Sequence, residues 1–419
     1  MNTAVLLLPA GDLEKLKTAL NFGADAVYLG GKDYSLRAAA GNMTLQEMAE
    51  GLNFAHEQGK KVYVAVNILA HNNDLLGLPA YLESLEALQA DGIIVSDLGI
   101  IRMARRYAPG IPITISTQAN ISNYEAAAFC KDLGASRLVL ARELTLDEII
   151  SIKQKLDIEL EVFVHGAMCV SYSGRCLLSH YMTGRNANVG ACAHPCRYQY
   201  HLMEEKRPNQ YFPIEEDERG TYILNSRDLC LLPYLPRLLE AGVDSFKVEG
   251  RMKSPLYVAA VARVYKQALA SYQANGRDYS ESRLQEWMAE LNQVASRPFT
   301  NGFIEGESPL LQDINRAQTP PRADFCGVVK GYYPESGHIE VEQRANFGPG
   351  DPLQLMLPQG PIIELELKSL FDEKGNSLDR ARHALQLVRI PWAEKIPPGS
   401  ILRRVGKSVE GSNICHCEP

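Results

Sequence analysis

The chain has 419 residues, 46% of them hydrophobic and 22% charged, with a formal net charge of −7. That length exceeds one ordinary core, so a large domain plus a smaller one is expected, in the composition of a soluble globular protein. The acidic balance excludes a surface coated for nonspecific nucleic-acid binding but not a local basic patch, and no apolar run approaches the roughly 20 residues that cross a bilayer.

The first half alternates short β-rich runs with helical stretches. The runs are "AVLLLPA" (4–10), "AVYLGG" (26–31), "KVYVAVN" (61–67), "GIIVSD" (92–97), "PITISTQ" (112–118), "RLVLARE" (137–143), "LEVFVHG" (160–166) and "SFKVEGR" (245–251). They are nearly continuously apolar, which suits parallel strands buried on both faces. Between them Asp12 is placed to cap "LEKLKTALNF", and "TLQE" (44–47) and "TLDE" (145–148) read as capping boxes. Ser254 and Pro255 set a cap and an N1 proline before "LYVAAVARVYKQALASY".

Eight such strands with intervening helices count out a (β/α)8 TIM-type barrel over residues 1–281. An open doubly wound sheet is the alternative, but "LPAGD" has one glycine where the dinucleotide fingerprint needs three. The spacing breaks in a long Cys-rich insertion, 168–240, and an insertion of that length in a compact domain is usually functional. It holds a further β-like run, "TYILNS" (221–226), which leaves the strand count open by one. Residues 282–320 read as a helical bridge. From 321 to 407 the runs shorten, alternate and are separated by Gly, Pro and Asn turns, as in a small antiparallel β-barrel domain; 408–419 form a tail. The N-terminal "MNTAVLLLPAGD" has an apolar core too short for a signal peptide. A cytoplasmic protein with no membrane contact is expected.

In a barrel of this type, chemistry sits at the C-terminal ends of the strands. The polar residues closing the runs are Asn67, Asp97, Gln118, Arg142, Glu143, His165, Lys247, Glu249 and Arg251. As a set they point to a polar mouth. His165 closes the seventh run and opens the insertion, which makes it an acid/base candidate, with a loop-capping histidine as the plain alternative. Arg175, Arg197 and Arg251 are candidates for binding carboxylate or phosphate in bidentate fashion. Residues 165–207 carry Arg175, Arg185, Arg197, Lys206 and Arg207 against Glu204 and Glu205, a local basic patch.

Four of the nine cysteines, Cys169, Cys176, Cys192 and Cys196, lie in that insertion with the spacing C-x6-C-x15-C-x3-C. The cytosol keeps thiols reduced, so clustered cysteines there bind metal or do chemistry more often than they form staples. Structural zinc would show tighter pairs. An iron–sulfur cluster needs four thiolates and tolerates wide spacings, and Gly166, Gly174, Gly184 and Gly190 would let the backbone close around it. A nucleophilic cysteine paired with His165 explains one thiol and not four. Cys230, in "NSRDLCLLPYL", is a fifth thiol, so the fourth ligand after Cys169, Cys176 and Cys192 is either Cys196 or Cys230. Cys130 and Cys326 read as core cysteines.

"EVFVHGAMCVSYSGRCLLSHYMTGRNANVGACAHPCR" resembles the signature of the collagenase-like peptidase family, peptidase U32. "LLLPAGDLEKLKTALNFGADAVYLGG", "YILNSRDLCLLPYLPRLLEAGVDSFKVEGRMKS" and the C-terminal β region are similar to the same family, so the resemblance covers nearly the whole chain. The chain has no H-E-x-x-H and no G-x-S-x-G. Understood relatives are hydroxylases that work without O2 and carry a [4Fe-4S] cluster on cysteines of this motif. One branch uses prephenate to convert the wobble uridine of tRNA to 5-hydroxyuridine, a longer relative modifies a cytidine of ribosomal RNA, and another branch acts in ubiquinone synthesis. The resemblance maps the cluster onto Cys169, Cys176, Cys192 and Cys230 in the pattern of the ubiquinone branch, and onto Cys196 in the motif as usually written. Chain length favours the tRNA branch. The resemblance therefore implies a tRNA uridine hydroxylase with prephenate as cosubstrate; among the run-ending and insertion residues, His165 and Glu249 are the candidates for handling protons, and Arg175, Arg197, Arg251, Asn67 and Gln118 for binding substrate. Arg403, Arg404 and Lys407 of the β domain are expected to help hold RNA. The competing readings are a peptidase, a hydroxylase of another RNA, and a nonenzymatic tRNA-binding partner.

Overall fold

The computed structural model describes residues 4–35, 41–168, 178–183, 185, 193, 202–203, 211–212, 215–217, 220–222, 227–275, 279–306 and 321–405. In chain order the first elements are β1 (Val5–Pro9), α1 (Leu13–Asn21), β2 (Ala26–Gly30), α2 (Leu45–His56), β3 (Lys61–Val66), α3 (Leu78–Ala87), β4 (Gly92–Val95) and α4 (Leu98–Tyr107). They are followed by β5 (Ile113–Ile115), α5 (Tyr124–Asp132), β6 (Arg137–Val139), α6 (Leu146–Lys155) and β7 (Glu159–Ala167). Within 168–240 lie α7 (Leu178–Thr183), β8 (Leu202–Met203), β9 (Tyr211–Phe212), β10 (Glu215–Asp217), β11 (Gly220–Tyr222), β12 (Asp228–Cys230) and α8 (Leu235–Glu240). Then come β13 (Ser245–Val248), α9 (Pro255–Asn275), α10 (Glu281–Val294) and β14 (Phe299–Thr300).

Strands β1 to β7 and β13, eight in all, run parallel, and β13 pairs with both β1 and β7, which closes the barrel. The strands observed at β5 and β6 are shorter than their sequence runs. Alternation sorts the side chains. Leu6, Leu8, Val27, Leu29, Val62 and Val64 join the large core beneath the helices. Leu7, Tyr28, Tyr63 and Ile94 form a small separate cluster, on the opposite, inner face of the same strands. The caps expected from sequence are in place. Asp12 accepts from the Lys15 amide at 2.9 Å, and Thr44–Glu47 and Thr145–Glu148 form reciprocal capping boxes. Ser254 Oγ accepts from the Tyr257 amide at 3.3 Å at the start of α9.

The run "TYILNS" does not add a barrel strand. Its described part, β11, pairs antiparallel with β10 as a two-stranded hairpin. What the insertion does add is β12, which pairs antiparallel with the end of β7 through Asp228↔Ala167, Leu229↔Gly166 and Cys230↔His165. Asp228 also faces Phe299 of β14. The described part of the expected bridge is α10 and β14, and both belong to the barrel body: α10 packs on α9, and Trp287, Leu291 and Val294 are buried in the barrel core.

The C-terminal strands are β15 (Ala323–Tyr333), β16 (His338–Gln343), β17 (Pro352–Met356), β18 (Ile362–Glu366), β19 (Leu370–Asp372), β20 (Ser377–Leu378), β21 (Leu387–Pro391) and β22 (Ile401–Val405). They make one eight-stranded sheet, ordered β18-β17-β22-β15-β16-β21-β19-β20, antiparallel at every pairing and folded around its own core of Cys326, Val329, Ile339, Val341, Phe347 and Leu402 among others. The sheet is clamped to the barrel. Arg403, 2% exposed, grips Glu290 of α10 with both terminal nitrogens at 2.5 and 2.9 Å. Arg263 of α9 donates to the carbonyls of Leu357 and Gly360, and Met356 and Ile401 enter the barrel core. For Arg403 this corrects the expected RNA contact. Arg403 is spent on Glu290, and Arg404 on Asp324 at 2.6 Å and Asp351 at 3.4 Å. Lys407 lies outside the described residues.

Candidate active site

The floor of the barrel is charged. Glu161, fully buried, accepts from Lys247 Nζ at 2.7 Å, Ser245 Oγ at 2.8 Å and Arg137 Nη1 at 3.2 Å. Arg137 also reaches Glu159 at 2.8 Å and lies over the Tyr63 ring. Burial works against ionisation of Glu161, but Lys247 and then Arg137 hold its pKa below the usual carboxylate range. Burial lowers the Lys247 pKa, against the pull of Glu161. The Lys247 ammonium sits 4.5 Å from the Tyr28 ring centroid and 5.6 Å from that of Phe163. These two rings roof the ion network and separate it from the mouth.

Above the rings is a second charge pair. Arg142, from the end of the β6 run, lays its guanidinium over Phe163 at 4.0 Å. Its Nη1 donates to the carbonyl of Ala167 at 3.1 Å, and its Nη2 stands 3.8 Å from Glu249 Oε2. The two side chains are only 11% and 15% exposed. Glu249 Oε2 is also 3.5 Å from Tyr28 Oη, whose proton goes to the Val248 carbonyl at 3.0 Å.

Arg251 points elsewhere. Buried at 3% exposure, it donates to Ser35 Oγ at 2.8 Å and Asn42 Oδ1 at 2.5 Å, on the β2 side of the mouth. Tyr81 Oη is buried close to Gly31 in the same corner, and burial pushes the Tyr81 pKa well above the usual phenol value. Asn67 and Gln118 are both half-buried beyond the ends of β3 and β5. The Asn67 carbonyl accepts from Ser96 Oγ, and the Gln118 amide donates to Ser116 Oγ. Asp97 serves the backbone instead, capping α4 through the amides of Gly99 and Ile100.

His165 is not in the mouth. The pairing of β7 with β13 slips at this point, so that Phe163 faces Lys247 while His165 faces Val248. A residue that simple alternation would turn inward is turned outward. Its ring lies among Tyr257 and Tyr265 of α9 and Phe299, with Nδ1 3.3 Å from Tyr265 Oη. Burial, and secondarily the Lys253 charge, lower its pKa to about 3. The ring is therefore neutral and packed behind the wall, and its backbone carbonyl, which accepts from the Glu249 amide at 2.8 Å, is what reaches the mouth strands.

The neighbouring Gly166 has φ of 105°, a left-handed conformation that favours glycine. A Cβ there would meet the Glu249 carbonyl. Gly166→Ala is therefore expected to cost roughly 1–3 kcal/mol, read as a lower melting temperature with the fold otherwise retained.

Cys169, Cys176, Cys192, Cys196, Arg175 and Arg197 lie outside the described residues. The fifth thiol is described. Cys230 is buried, with Sγ 3.9 Å from Tyr265 Oη and from Met288 Sδ. Because Ala167 and Asp228 face each other in the β7–β12 pair, the excursion bearing the four other cysteines leaves and returns at one antiparallel step. That step brings Cys230 opposite His165, four residues before Cys169 in the chain. Cys130 and Cys326 are buried in the barrel and β-domain cores, as expected.

Residues 11–312 match the model of peptidase family U32, and residues 321–403 match that of the family's C-terminal domain. The chain belongs to peptidase family U32. Among U32 relatives, it is 41% identical to tRNA hydroxylation protein P1 of Bacillus subtilis, over 95% of this chain and 94% of that one. It is 39% identical to the 23S rRNA 5-hydroxycytidine C2501 synthase of Escherichia coli, over 84% of this chain and 52% of that longer one. It is 30% identical to a collagenase of Porphyromonas gingivalis, over 98% and 100%. Among the described residues at the mouth is Arg142, which the sequence offered only as a run-ending residue. Its signal was position alone: a cation at the C-terminal end of a barrel strand.

Proposed function

We propose that this chain hydroxylates C5 of the wobble uridine of tRNA without O2, using prephenate as cosubstrate and carrying a [4Fe-4S] cluster. The observation that carries the reading is the likeness, over nearly the full length of both chains, to a tRNA hydroxylation protein. The mouth is consistent with it: a preset guanidinium for a carboxylate, and a carboxyl group, Glu249, between that cation and a tyrosine hydroxyl.

In this reading Cys169, Cys176, Cys192 and Cys230 hold the cluster, with Cys230 preferred to Cys196 because the β7–β12 seam brings it beside the start of the motif. When bound, such a cluster supplies one-electron transfer. The protein's own part is to seat the anionic cosubstrate at Arg142, to keep water from the floor with Tyr28 and Phe163, and to hold a proton on Glu249. The basic stretch with Arg175, Arg185, Arg197, Lys206 and Arg207 would take tRNA phosphates, which makes binding fall steeply with salt.

A peptidase reading rests on the family and on the collagenase relative. The geometry at His165 and Cys230 disfavours it: both are almost fully buried, and the imidazole faces Tyr265 behind the barrel wall. In tRNA from a deletion strain lacking any paralogue, mass spectrometry is expected to show loss of 5-hydroxyuridine and its derivatives. An unchanged nucleoside profile overturns the reading.

A further inference from the structure

We propose that the outer face of α4 is a contact surface for the RNA backbone, on which Arg102, Arg105 and Arg106 take phosphates of the molecule whose base enters the mouth. This rests on the function proposed above and deepens it.

The helix α4 follows β4 directly, and its cap, Asp97, ends that strand's run. It therefore starts at the rim of the mouth and runs away from it for about 15 Å. Its inward side is apolar, with Ile100, Ile101 and Ala104 buried in the barrel core. Its outward side is cationic. Arg102, Arg105 and Arg106 are all exposed, and the helix carries no acidic residue. Arg105 is held in place: its Nη1 donates to the Leu133 carbonyl at 3.3 Å and lies over Gly134, where a Cβ would collide with it. The Arg106 guanidinium is 5.2 Å from the Tyr107 ring centroid. Lys131, in the last turn of α5, is exposed as well.

None of the three guanidiniums makes an ion pair with a carboxylate among the described residues. Exposed arginines elsewhere on this acidic chain do: Arg237 with Glu305, Arg283 with Glu286 and Arg382 with Asp379. The acids that flank α4 leave it alone. Glu86 of α3 accepts from the Gly110 amide at 2.6 Å, and Asp132 of α5 is exposed to solvent. A favourable charge on the helix C-terminus accounts for Arg105 and Arg106, which lie in the last turn, but not for Arg102. Arg102 stands three and four positions before the other two, on the same side of the helix, so the three cations repel one another. A polyanion relieves that repulsion, and phosphate oxygens match the guanidinium fork. A lipid surface is not the partner, because the apolar face that would enter it is already buried in the barrel. An RNA with an unpaired base in the mouth would instead lay its adjoining backbone down α4.

The test is fluorescence anisotropy of an end-labelled tRNA transcript with uridine at the wobble position, titrated with the cluster-loaded full chain over a series of salt concentrations. The triple variant Arg102→Gln, Arg105→Gln, Arg106→Gln is expected to bind on the order of 10- to 100-fold more weakly at physiological salt. Its plot of log association constant against log salt should be less steep by about 2–3, near one unit per lost phosphate contact. The single variant Arg102→Gln, at a position with no described hydrogen bond or ion pair, should lose about one unit of slope and covers the case in which the triple does not fold. A control triple, Lys17→Gln, Arg283→Gln and Arg382→Gln, changes the net charge equally but removes cations that already have carboxylate partners; it should bind within about twofold of wild type. Melting temperature and circular dichroism report the fold of each variant. Unchanged affinity and slope in the α4 variants overturns the proposal and assigns the strip to an acidic protein. Equal weakening by the control triple also overturns it, since net charge alone then explains the loss. Both outcomes leave the parent reading standing, whereas a wild type that binds no tRNA overturns the two together.

Discussion

Glu161→Gln is expected to destabilise the barrel by roughly 3–5 kcal/mol, the usual cost of breaking a buried ion pair from one side. Glu161 is completely enclosed and answers two cations, Lys247 at 2.7 Å and Arg137 at 3.2 Å. The glutamine keeps the shape and removes the charge, leaving Lys247 buried without a counter-ion at the floor of the barrel. Arg137 retains Glu159 at 2.8 Å, so most of the cost falls on the lysine. The pairing of Glu161→Leu with Lys247→Met should therefore recover most of the loss, because the uncompensated charge is gone. Urea unfolding followed by circular dichroism measures both. A cost below about 1 kcal/mol for Glu161→Gln, in the range of exposed pairs, would show that the network does not hold the floor together. The same network predicts a pH dependence. The Glu161 pKa lies below its ordinary value of 4.5 in the folded chain, so the unfolded chain binds the extra proton first. The contribution is fully present above that ordinary value and is lost as pH falls through the folded one.

Cys230→Ser is expected to abolish the visible absorbance of anaerobically reconstituted protein and its hydroxylase activity together, while Cys196→Ser keeps both. A cluster of this class needs four thiolates, and the β7–β12 seam sets Cys230 opposite His165 at the root of the motif. Iron and acid-labile sulfide, measured on each purified variant, give the readout. The opposite pattern, colour lost with Cys196→Ser and kept with Cys230→Ser, would transfer the fourth position to Cys196. Colour kept in both would remove the four-thiolate assignment altogether. Serine at Cys230 preserves size in its packed surroundings near Met288 and Tyr265, so a folded but colourless chain is the expected product.

The comparison of sequence with structure divides along a physical line. Local rules were legible. Apolar runs of strand length set the eight barrel strands, and Thr44, Thr145 and Asp12 cap their helices as short-range chemistry requires. The change to alternating runs after residue 321 marked the antiparallel sheet. The residues closing the barrel runs have tasks that differ. Asp97 caps a helix, Lys247 neutralises a buried glutamate, Glu249 stands at the mouth and Arg251 is buried against Ser35 and Asn42.

What the chain determined by itself is therefore the order and kind of its elements, because capping, turn and periodicity depend on residues a few positions apart. Tertiary structure alone decided which of the polar ends share a site. A one-residue slip between β7 and β13 turned His165 out of the mouth, and no pattern within either strand encodes a register between two strands 84 residues apart at Glu161 and Ser245. The same holds for Arg403, whose partner Glu290 lies 113 positions away, and for Arg142, which acquires its anion from β13 and its platform from β7 only when the barrel closes. Side-chain partnerships of that range are set by how layers pack, and packing is a property of the folded chain rather than of any segment in it.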